Sequence, residues 1–496
     1  STRKESSAAS DVYKRQLLPL SDKIHNSPFI LHTLYLNNMR RVSQFLIAAP
    51  TSGSGKTTVS RGLMALLTQK GLAIQPFKCG PDYIDTKYHT AVCGRASINL
   101  DTFMASGEHV CELYARHVVS ADVCIVEGMM GMFDGYDRDR GSSAEITQLL
   151  QLPVVLVVDA KSAAYSMAPL LSGFIHFRPD IRIAGVIFNR VGSSRHYEML
   201  REVCAEVGIT CLGYLPKEKM LEQESRYLGL DFSRSKGTDA IGTLTRLLEQ
   251  CVDWKLLLAK TAVPLRETRE RDKEFVGGRK PGNLRILVAR NEESFSFIYE
   301  EHLEMLRGMG RISFFDPEKD VPIAQDTDLL YLPGGYPEKH SMALAGARQV
   351  KESVREYIER GGKTLAECGG MIYLSYAIGY DKREHESGGS GFDRMAGVFP
   401  FYISNESEYR KLTLGYRSFD YKGQRLRGHE FHYTQFGKSG TAPDDSKKEL
   451  YMPPTVVQVY NAKGQPVNTP VFRYKNTIAS YTHLYWGETD IMRLFE

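Results

Sequence analysis

At 496 residues the chain is too long for one ordinary hydrophobic core, so two or more domains are expected. Hydrophobic residues make up 42% and charged residues 25%, the balance of a soluble globular protein. The formal charge of +4 does not argue for a nucleic-acid partner, though it would tolerate an anionic substrate. Eight cysteines without paired short spacings suggest neither a zinc site nor a disulfide framework, and they fit a reducing cytoplasm. No apolar run approaches the roughly 20 residues that span a bilayer, and the polar stretch at 1–16 lacks the apolar centre of a signal peptide.

Taken in chain order, residues 1–43 read as an appendage of disordered character, with Met39 a candidate natural start. From Phe45 the pattern is strand (45–49), Gly-rich turn (53–55), helix (57–69) and strand (73–77). Further buried runs at 122–126, 154–158 and 181–188, with a helix at 163–177, predict a mostly parallel α/β sheet covered on both faces. Residues 258–283 are charged and carry Pro264, Pro281 and Gly277-Gly278, which predicts a linker. A second α/β series follows, with strands at 285–289, 311–315, 329–332 and 363–366 and helices at 296–309 and 350–360. Residues 387–391 read as a loop, and from Met395 the composition turns β-like. The expected domains are therefore 44–257 and 284–496.

The stretch Ala49-Pro50-Thr51-Ser52-Gly53-Ser54-Gly55-Lys56-Thr57-Thr58 sits between a strand and a helix. Gly53, Ser54 and Gly55 would let backbone N–H groups curl around phosphate oxygens, beside the positive end of a helix. Lys56 would reach the β- and γ-phosphates of ATP, and Thr57 would take Mg²⁺, with Thr58 beside it. Pro50 stands where the usual motif begins with glycine. Thr51 stands where partition-type ATPases carry a further lysine, so the loop leans toward small-molecule phosphoryl transfer.

Two acidic stretches follow at carboxyl ends of strands, where ligands sit in open α/β sheets. They are Lys78-Cys79-Gly80-Pro81-Asp82-Tyr83-Ile84-Asp85 and Glu127-Gly128-Met129-Met130-Gly131-Met132-Phe133-Asp134-Gly135. Asp85 and Glu127 join Thr57 as expected Mg²⁺ ligands, since hard oxygens hold that ion. Asp82, Tyr83 and Asp134 are expected to face the acceptor. Asn189 either reads an adenine edge or forms a turn.

In the second half, Cys368 stands at a strand-to-helix junction flanked by small residues, the setting of an exposed nucleophile whose thiolate a helix N-terminus favours. Backbone N–H groups at Gly335 and Gly369 would form an oxyanion hole, and His483 is the candidate base. The spacing in His429-Glu430-Phe431-His432-Tyr433 is not that of a His-Glu-x-x-His zinc helix, so surface or substrate-side roles are favoured there.

On the motifs at 49–57, 80–85, 126–135, 332–338 (Leu332-Pro333-Gly334-Gly335-Tyr336-Pro337-Glu338), 366–370 (Ala366-Glu367-Cys368-Gly369-Gly370) and 428–433, the chain resembles the cobyrinate a,c-diamide synthases of the cobalamin pathway. The resemblance implies a dethiobiotin-synthetase-like fold joined to a class I glutaminase-like fold. It further implies ATP-dependent amidation of the a and c acetates of a corrin-type macrocycle, with glutamine as nitrogen donor. Many class I glutaminases place a glutamate two residues after the catalytic histidine; here that position is Tyr485, so the resemblance carries over a Cys368–His483 dyad. The expected partners are the tetrapyrrole, glutamine and ATP, without nucleic acid or membrane, and a homodimer stays open. Hydrogenobyrinate or a nickel-sirohydrochlorin as substrate, a cobyric acid synthase, and a non-enzymatic nucleotide switch are the competing readings.

Overall fold

The computed structural model describes residues 40–218, 236–265, 282–381, 391–441 and 449–496. The expected appendage up to residue 39, linker residues 266–281 and loop residues 387–390 lie outside the described residues.

The first half is a sheet of parallel strands β1 (Arg41–Ala48), β2 (Ile74–Cys79), β3 (Ile98–Leu100), β4 (Val123–Glu127), β5 (Val154–Asp159), β6 (Ile183–Val191) and β7 (Cys211–Pro216). Their order is β3-β2-β4-β1-β5-β6-β7. Strand β1 explains why such runs are apolar throughout: Leu46 and Ala48 join the core on one face, Phe45 and Ile47 the core on the other. Helix α1 (Lys56–Gln69) buries Val59, Leu63, Leu66 and Leu67 at helical spacing. It is followed by α2 (Asp85–Cys93) and α3 (Gly107–Val118), which starts where the Ser106 hydroxyl accepts from the His109 N–H at 3.1 Å.

The expected boundary at 258 moves. Helix α4 (Trp254–Thr261) and strand β8 (Ala262–Pro264) belong to the first half, with β8 antiparallel to the beginning of β1. Residues 41–43, expected in the appendage, form that pairing, and the Ser43 and Thr261 hydroxyls bond at 2.7 Å. Charge and prolines suggested a linker, but Leu257 and Thr261 are buried against the sheet, and Pro264 sits at a strand end, where a missing N–H is tolerated.

The second half has strands β9 (Leu284–Ala289), β10 (Gly310–Phe315), β11 (Leu329–Leu332), β12 (Thr364–Glu367), β13 (Thr413–Tyr421), β14 (Gln424–His432), β15 (Val471–Tyr474), β16 (Thr477–Ser480) and β17 (Thr482–Tyr485). One sheet runs β10-β9-β11-β12-β16-β15, antiparallel only at its β16–β15 edge; β13, β14 and β17 belong to a second, antiparallel sheet. Helix α5 (Glu300–Met309) is four residues shorter than expected at its start. The Ser296 and Phe297 N–H groups instead donate to Gly334 O, at 2.9 and 3.0 Å, and hold this segment extended. Helix α6 (Arg348–Glu359) and the single-turn helix α7 (Gly369–Leu374) flank β12.

The two halves share a core. Phe297, Tyr299, Tyr416 and Tyr485 of the second half pack into the same cluster as Tyr83, Leu100 and Met104 of the first. Tyr83 stacks on Phe297 and Tyr299, with ring centroids 5.1 and 4.4 Å away, and Phe103 stacks on Tyr416 at 4.4 Å. Polar contacts frame this seam. Glu488 accepts from the N–H and hydroxyl of Ser106, both at 2.6 Å, and the Tyr416 hydroxyl donates to Asp101 at 2.7 Å. Glu301, 5% exposed at its side chain, is held by His109 at 2.6 Å, Arg116 at 3.3 Å and the Tyr485 hydroxyl.

Burial works against both charges of the His109–Glu301 pair, yet their contact raises the imidazole above its usual 6.5 and, with Tyr485, lowers the carboxyl below its usual 4.5. The pair's stabilisation is therefore fully present between those two ordinary values. It is lost as pH rises through the raised folded value of His109, and again as pH falls through the lowered one of Glu301. Glu301→Gln is expected to cost about 3–5 kcal/mol, the size seen when one partner of a buried ion pair is removed. Denaturant unfolding at mildly acidic and alkaline pH checks this: the loss is larger on the acidic side, and equal losses at both would show that the pair carries no charge.

Candidate active site

The phosphate loop leaves β1 and enters α1 through Gly55, whose φ is +98°. A Cβ there would come within 2.1 Å of the Asn189 amide nitrogen, so the position accepts only glycine. Asn189 closes the loop from β6: its amide donates to Ser54 O at 2.9 Å, and its Oδ1 accepts the Arg190 N–H at 2.9 Å. The side chain expected to read adenine is thus spent bracing the loop, although it still borders the cavity below. Arg190 reaches Gly53 O at 3.1 Å and pairs with Asp159 at 2.5 Å. Lys56 Nζ donates to Met130 O.

Behind the loop, Thr57, Asp85 and Glu127 come together as expected. The Thr57 hydroxyl lies 2.6 Å from Glu127 Oε1 and 3.5 Å from Asp85 Oδ2. Between the two carboxylates sits Lys78, which the sequence reading had passed over; its Nζ is 2.6 Å from Asp85 and 2.8 Å from Glu127. The strand predicted at 73–77 ends before this residue, whereas β2 runs through it to Cys79 and buries it, where a lysine needs a partner. Burial opposes the ammonium, but Asp85, Glu127 and Asp82 overcome it and raise its pKa. Burial likewise opposes the Glu127 carboxylate, and Lys78 with His89, 2.8 Å from its other oxygen, holds the pKa well below the usual range. Among the described residues no cluster of three or more His, Cys, Asp or Glu has metal-binding geometry. Two carboxylates and a hydroxyl are nevertheless the open oxygen set that suits Mg²⁺ sharing its shell with phosphates and water.

Asp82 borders the cavity but also caps the start of α2, accepting from Ile84 and Asp85 N–H groups at 2.8 and 2.9 Å. Tyr83 faces the cavity and lies 5.3 Å, centroid to centroid, from His483. Asp134 does not face an acceptor. It is exposed, its carboxylate takes the Gly131 N–H at 3.1 Å, and it lies outside the cavity wall; the turn at 131–134 uses it up.

Cys368 occupies a strained elbow, φ 45° and ψ −101°, between β12 and α7, with its N–H donating to Ser480 O at 2.7 Å. The elbow was expected to expose the thiol, yet Cys368 is 2% exposed. Burial, followed by Glu338 and Glu430, raises the thiol well above its usual pKa and outweighs the Gly369 N–H, so the resting group is the thiol and not the expected thiolate. Gly335 and Gly369 are adjacent, since a Cβ on Gly369 would fall 2.9 Å from Gly335 N. His483 is fully buried with its ring over Gly334, where a Cβ would come within 2.1 Å of Cε1. Neither ring nitrogen has a hydrogen-bond partner, and burial, then His429 and His432, lower the imidazole to about 3, so it is neutral. His432 lies in the pocket of Cys368. Its ring nitrogens face Glu430 Oε1 at 2.9 Å and Thr434 O at 2.7 Å, which leaves neither to receive a thiol proton.

A cavity of about 950 Å³ joins these parts: Lys56, Lys78 and Glu127 line one end, Tyr83, His429 and His483 the other. The pocket at Cys368, about 10 Å³, has room for about one water. Tyr336, Phe431 and Tyr433 border both spaces. Lys161, Arg190 and Lys217 add positive charge to the large cavity; as scattered basic residues they gave no sequence signal.

Comparison with known proteins agrees with this architecture. Residues 45–229 match the CobQ/CobB/MinD/ParA nucleotide binding domain, and residues 285–491 match the CobB/CobQ-like glutamine amidotransferase domain. A cobyrinate a,c-diamide synthase of Caldanaerobacter subterraneus subsp. tengcongensis is 37% identical over 91% of this chain and 97% of its own. A hydrogenobyrinate a,c-diamide synthase of Brucella abortus is 38% identical over 89% and 98%, and a cobyrinate a,c-diamide synthase of Priestia megaterium is 37% identical over 90% and 95%. With both halves matched in order and nearly the whole length of each relative covered, the chain belongs to the cobyrinate and hydrogenobyrinate a,c-diamide synthase family of glutamine-dependent carbon–nitrogen ligases.

Proposed function

We propose that this chain amidates the a and c acetate carboxylates of cobyrinate, using ATP to activate each carboxylate and glutamine to supply nitrogen. The observation that carries the reading is the shared wall: the cavity that holds the charged phosphate site and the buried cysteine pocket are both lined by Tyr336, Phe431 and Tyr433. Hydrogenobyrinate is the second reading, because relatives of both names match to the same degree.

In the second half, Cys368 attacks the side-chain amide of glutamine, and backbone N–H groups at Gly335 and Gly369 stabilise the oxyanion. His483 takes the thiol proton and passes it to the departing ammonia; water then releases glutamate from the thioester. In the first half, Gly53 to Thr58 cradle the phosphates of ATP, and Lys56 neutralises charge that develops on the γ-phosphate. Thr57, Asp85 and Glu127 would hold Mg²⁺, which when bound draws charge from the phosphate oxygens. Lys78 holds those two carboxylates in place, and Asp82 and Tyr83 face the acceptor carboxylate. The carboxylate takes the γ-phosphate as an acyl phosphate, and ammonia displaces phosphate to leave the amide. Ammonia in bulk water is mostly protonated, and an acyl phosphate in water hydrolyses, so a sheltered passage past Tyr336, Phe431 and Tyr433 fits the chemistry.

Cys368→Ser with glutamine is expected to form no amide, while the same variant with ammonium salts still does; loss of both overturns the division of labour. Lys78→Met is expected to slow ammonium-driven amidation by about 100–1000-fold, the cost of removing a preorganised electrostatic group. Assaying cobalt-containing, metal-free and nickel-containing tetrapyrroles side by side decides the substrate.

A further inference from the structure

His429 has no part in the chemistry above, yet its surroundings are those of a working group. It sits on β14 directly across from His483 on β17, lines the large cavity together with Asp82 and Tyr83, and is 8% exposed. Its Nδ1 is buried without a hydrogen-bond partner. Leaving such an atom unsatisfied costs about 1–3 kcal/mol, and a fold that carries this cost without using it is uncommon. The three histidines of this corner are not equivalent. His432 has both nitrogens committed, and His483 lies over Gly334, next to the Cys368 elbow. His429 borders the large cavity beside Asp82 and Tyr83, the residues assigned above to the acceptor carboxylate.

We propose that His429 is the catalytic base of amide formation, accepting the proton released when ammonia attacks the acyl phosphate. The inference rests on the amidation reading above. The nitrogen lone pair forms the C–N bond, and the C–O bond to phosphate breaks, with phosphate leaving on the electron pair. One N–H proton passes to an imidazole nitrogen of His429, which then releases it to the departing phosphate.

The charged and titratable neighbours suit that role. From its own sheet Arg417, Glu430, Tyr416 and His483 face it, and from the first half Asp82 does. Arg417 is paired to Glu430 at 2.5 Å, so its charge is largely matched. Burial, then Arg417, lower the imidazole to about 4, which leaves it neutral and able to accept a proton. An anionic phosphate arriving in the cavity supplies the negative charge that favours the imidazolium once the proton has moved.

Ammonium chloride in place of glutamine removes the Cys368 step from the measurement. With rates plotted against the concentration of free ammonia at each pH, His429→Gln is expected to slow amidation by about 100-fold or more, the range of general-base catalysis. It is also expected to lose the acidic limb of the wild-type pH profile, and amide formation should fall at least tenfold more than glutamine hydrolysis. His429→Ala should regain part of the rate when imidazole is added. Amidation within threefold of wild type with an unchanged profile overturns the inference. So does a slow variant whose profile is unmoved and which imidazole does not rescue, because that is the mark of a structural role. A defect confined to glutamine hydrolysis would move His429 to the cysteine site instead. If the wild-type protein makes no amide from either nitrogen source, the amidation reading fails first.

Discussion

The ring of Tyr83 stacks between residues of the other half, and the functional geometry hangs on that packing. The residue beside it, Asp82, caps α2, whose first residue is Asp85, one of the two carboxylates around Lys78. On its other side Tyr83 meets Phe297, Tyr299 and His483. A single aromatic side chain thus ties the phosphate end of the cavity to the wall of the glutaminase half. Fully burying one such ring contributes roughly 1.5–3 kcal/mol, and several are buried along this seam, so the halves are joined by hydrophobic burial more than by ion pairs. The Glu301 and Glu488 contacts then fix orientation, because each demands one particular placement of α3.

The two ends of the cavity follow opposite electrostatic rules. At the phosphate end the buried carboxylates and ammonium are matched to one another, Lys78 against Asp85 and Glu127 with His89 on Glu127, and the half-exposed Arg190 pairs with Asp159. At the other end the groups are neutral and unmatched, with His429 and His483 both held unprotonated by burial and nearby histidine or arginine. The difference suits the reactants. Phosphate transfer needs fixed positive charge and hard oxygen ligands, whereas ammonia stays nucleophilic only where no acidic group protonates it.

What the sequence disclosed divides along a physical line. Strand ends, the phosphate loop and the cysteine elbow are local patterns of a few residues, and Gly53–Thr58, Asp85, Glu127 and Cys368 all lie where that reading put them. Features set by distant packing were hidden. The partners of Tyr83 are more than 200 positions away, and the pocket of Cys368 is walled by Phe431 on another sheet and by Tyr433 just past its strand. Lys78 lies just past the strand predicted at 73–77, and its meaning came only with the carboxylates it bridges. Asp134 went the other way, a turn-former whose carboxylate the local backbone consumes, and Asn189, read as either an adenine contact or a turn, instead braces Ser54 O of the distant phosphate loop. The start of the expected linker, residues 258–264, was misread because composition reports charge and proline, not the complementary edge that β1 offers to β8.

The closure of Cys368 completes the physical picture. A pocket with room for about one water does not admit glutamine, so the nucleophile works only after its walls move. Those walls include Phe431 and Tyr433, which also border the large cavity, so a displacement of either that opens the cysteine alters the ligase side as well. Phe431 moreover sits on β14 two residues from His429, and β14 is hydrogen-bonded to β17, which carries His483. Opening one site therefore pulls on the strand pair that lines the other. In this fold the coupling between nitrogen release and carboxylate activation needs no separate signalling element, because two cavities share three aromatic side chains in their walls.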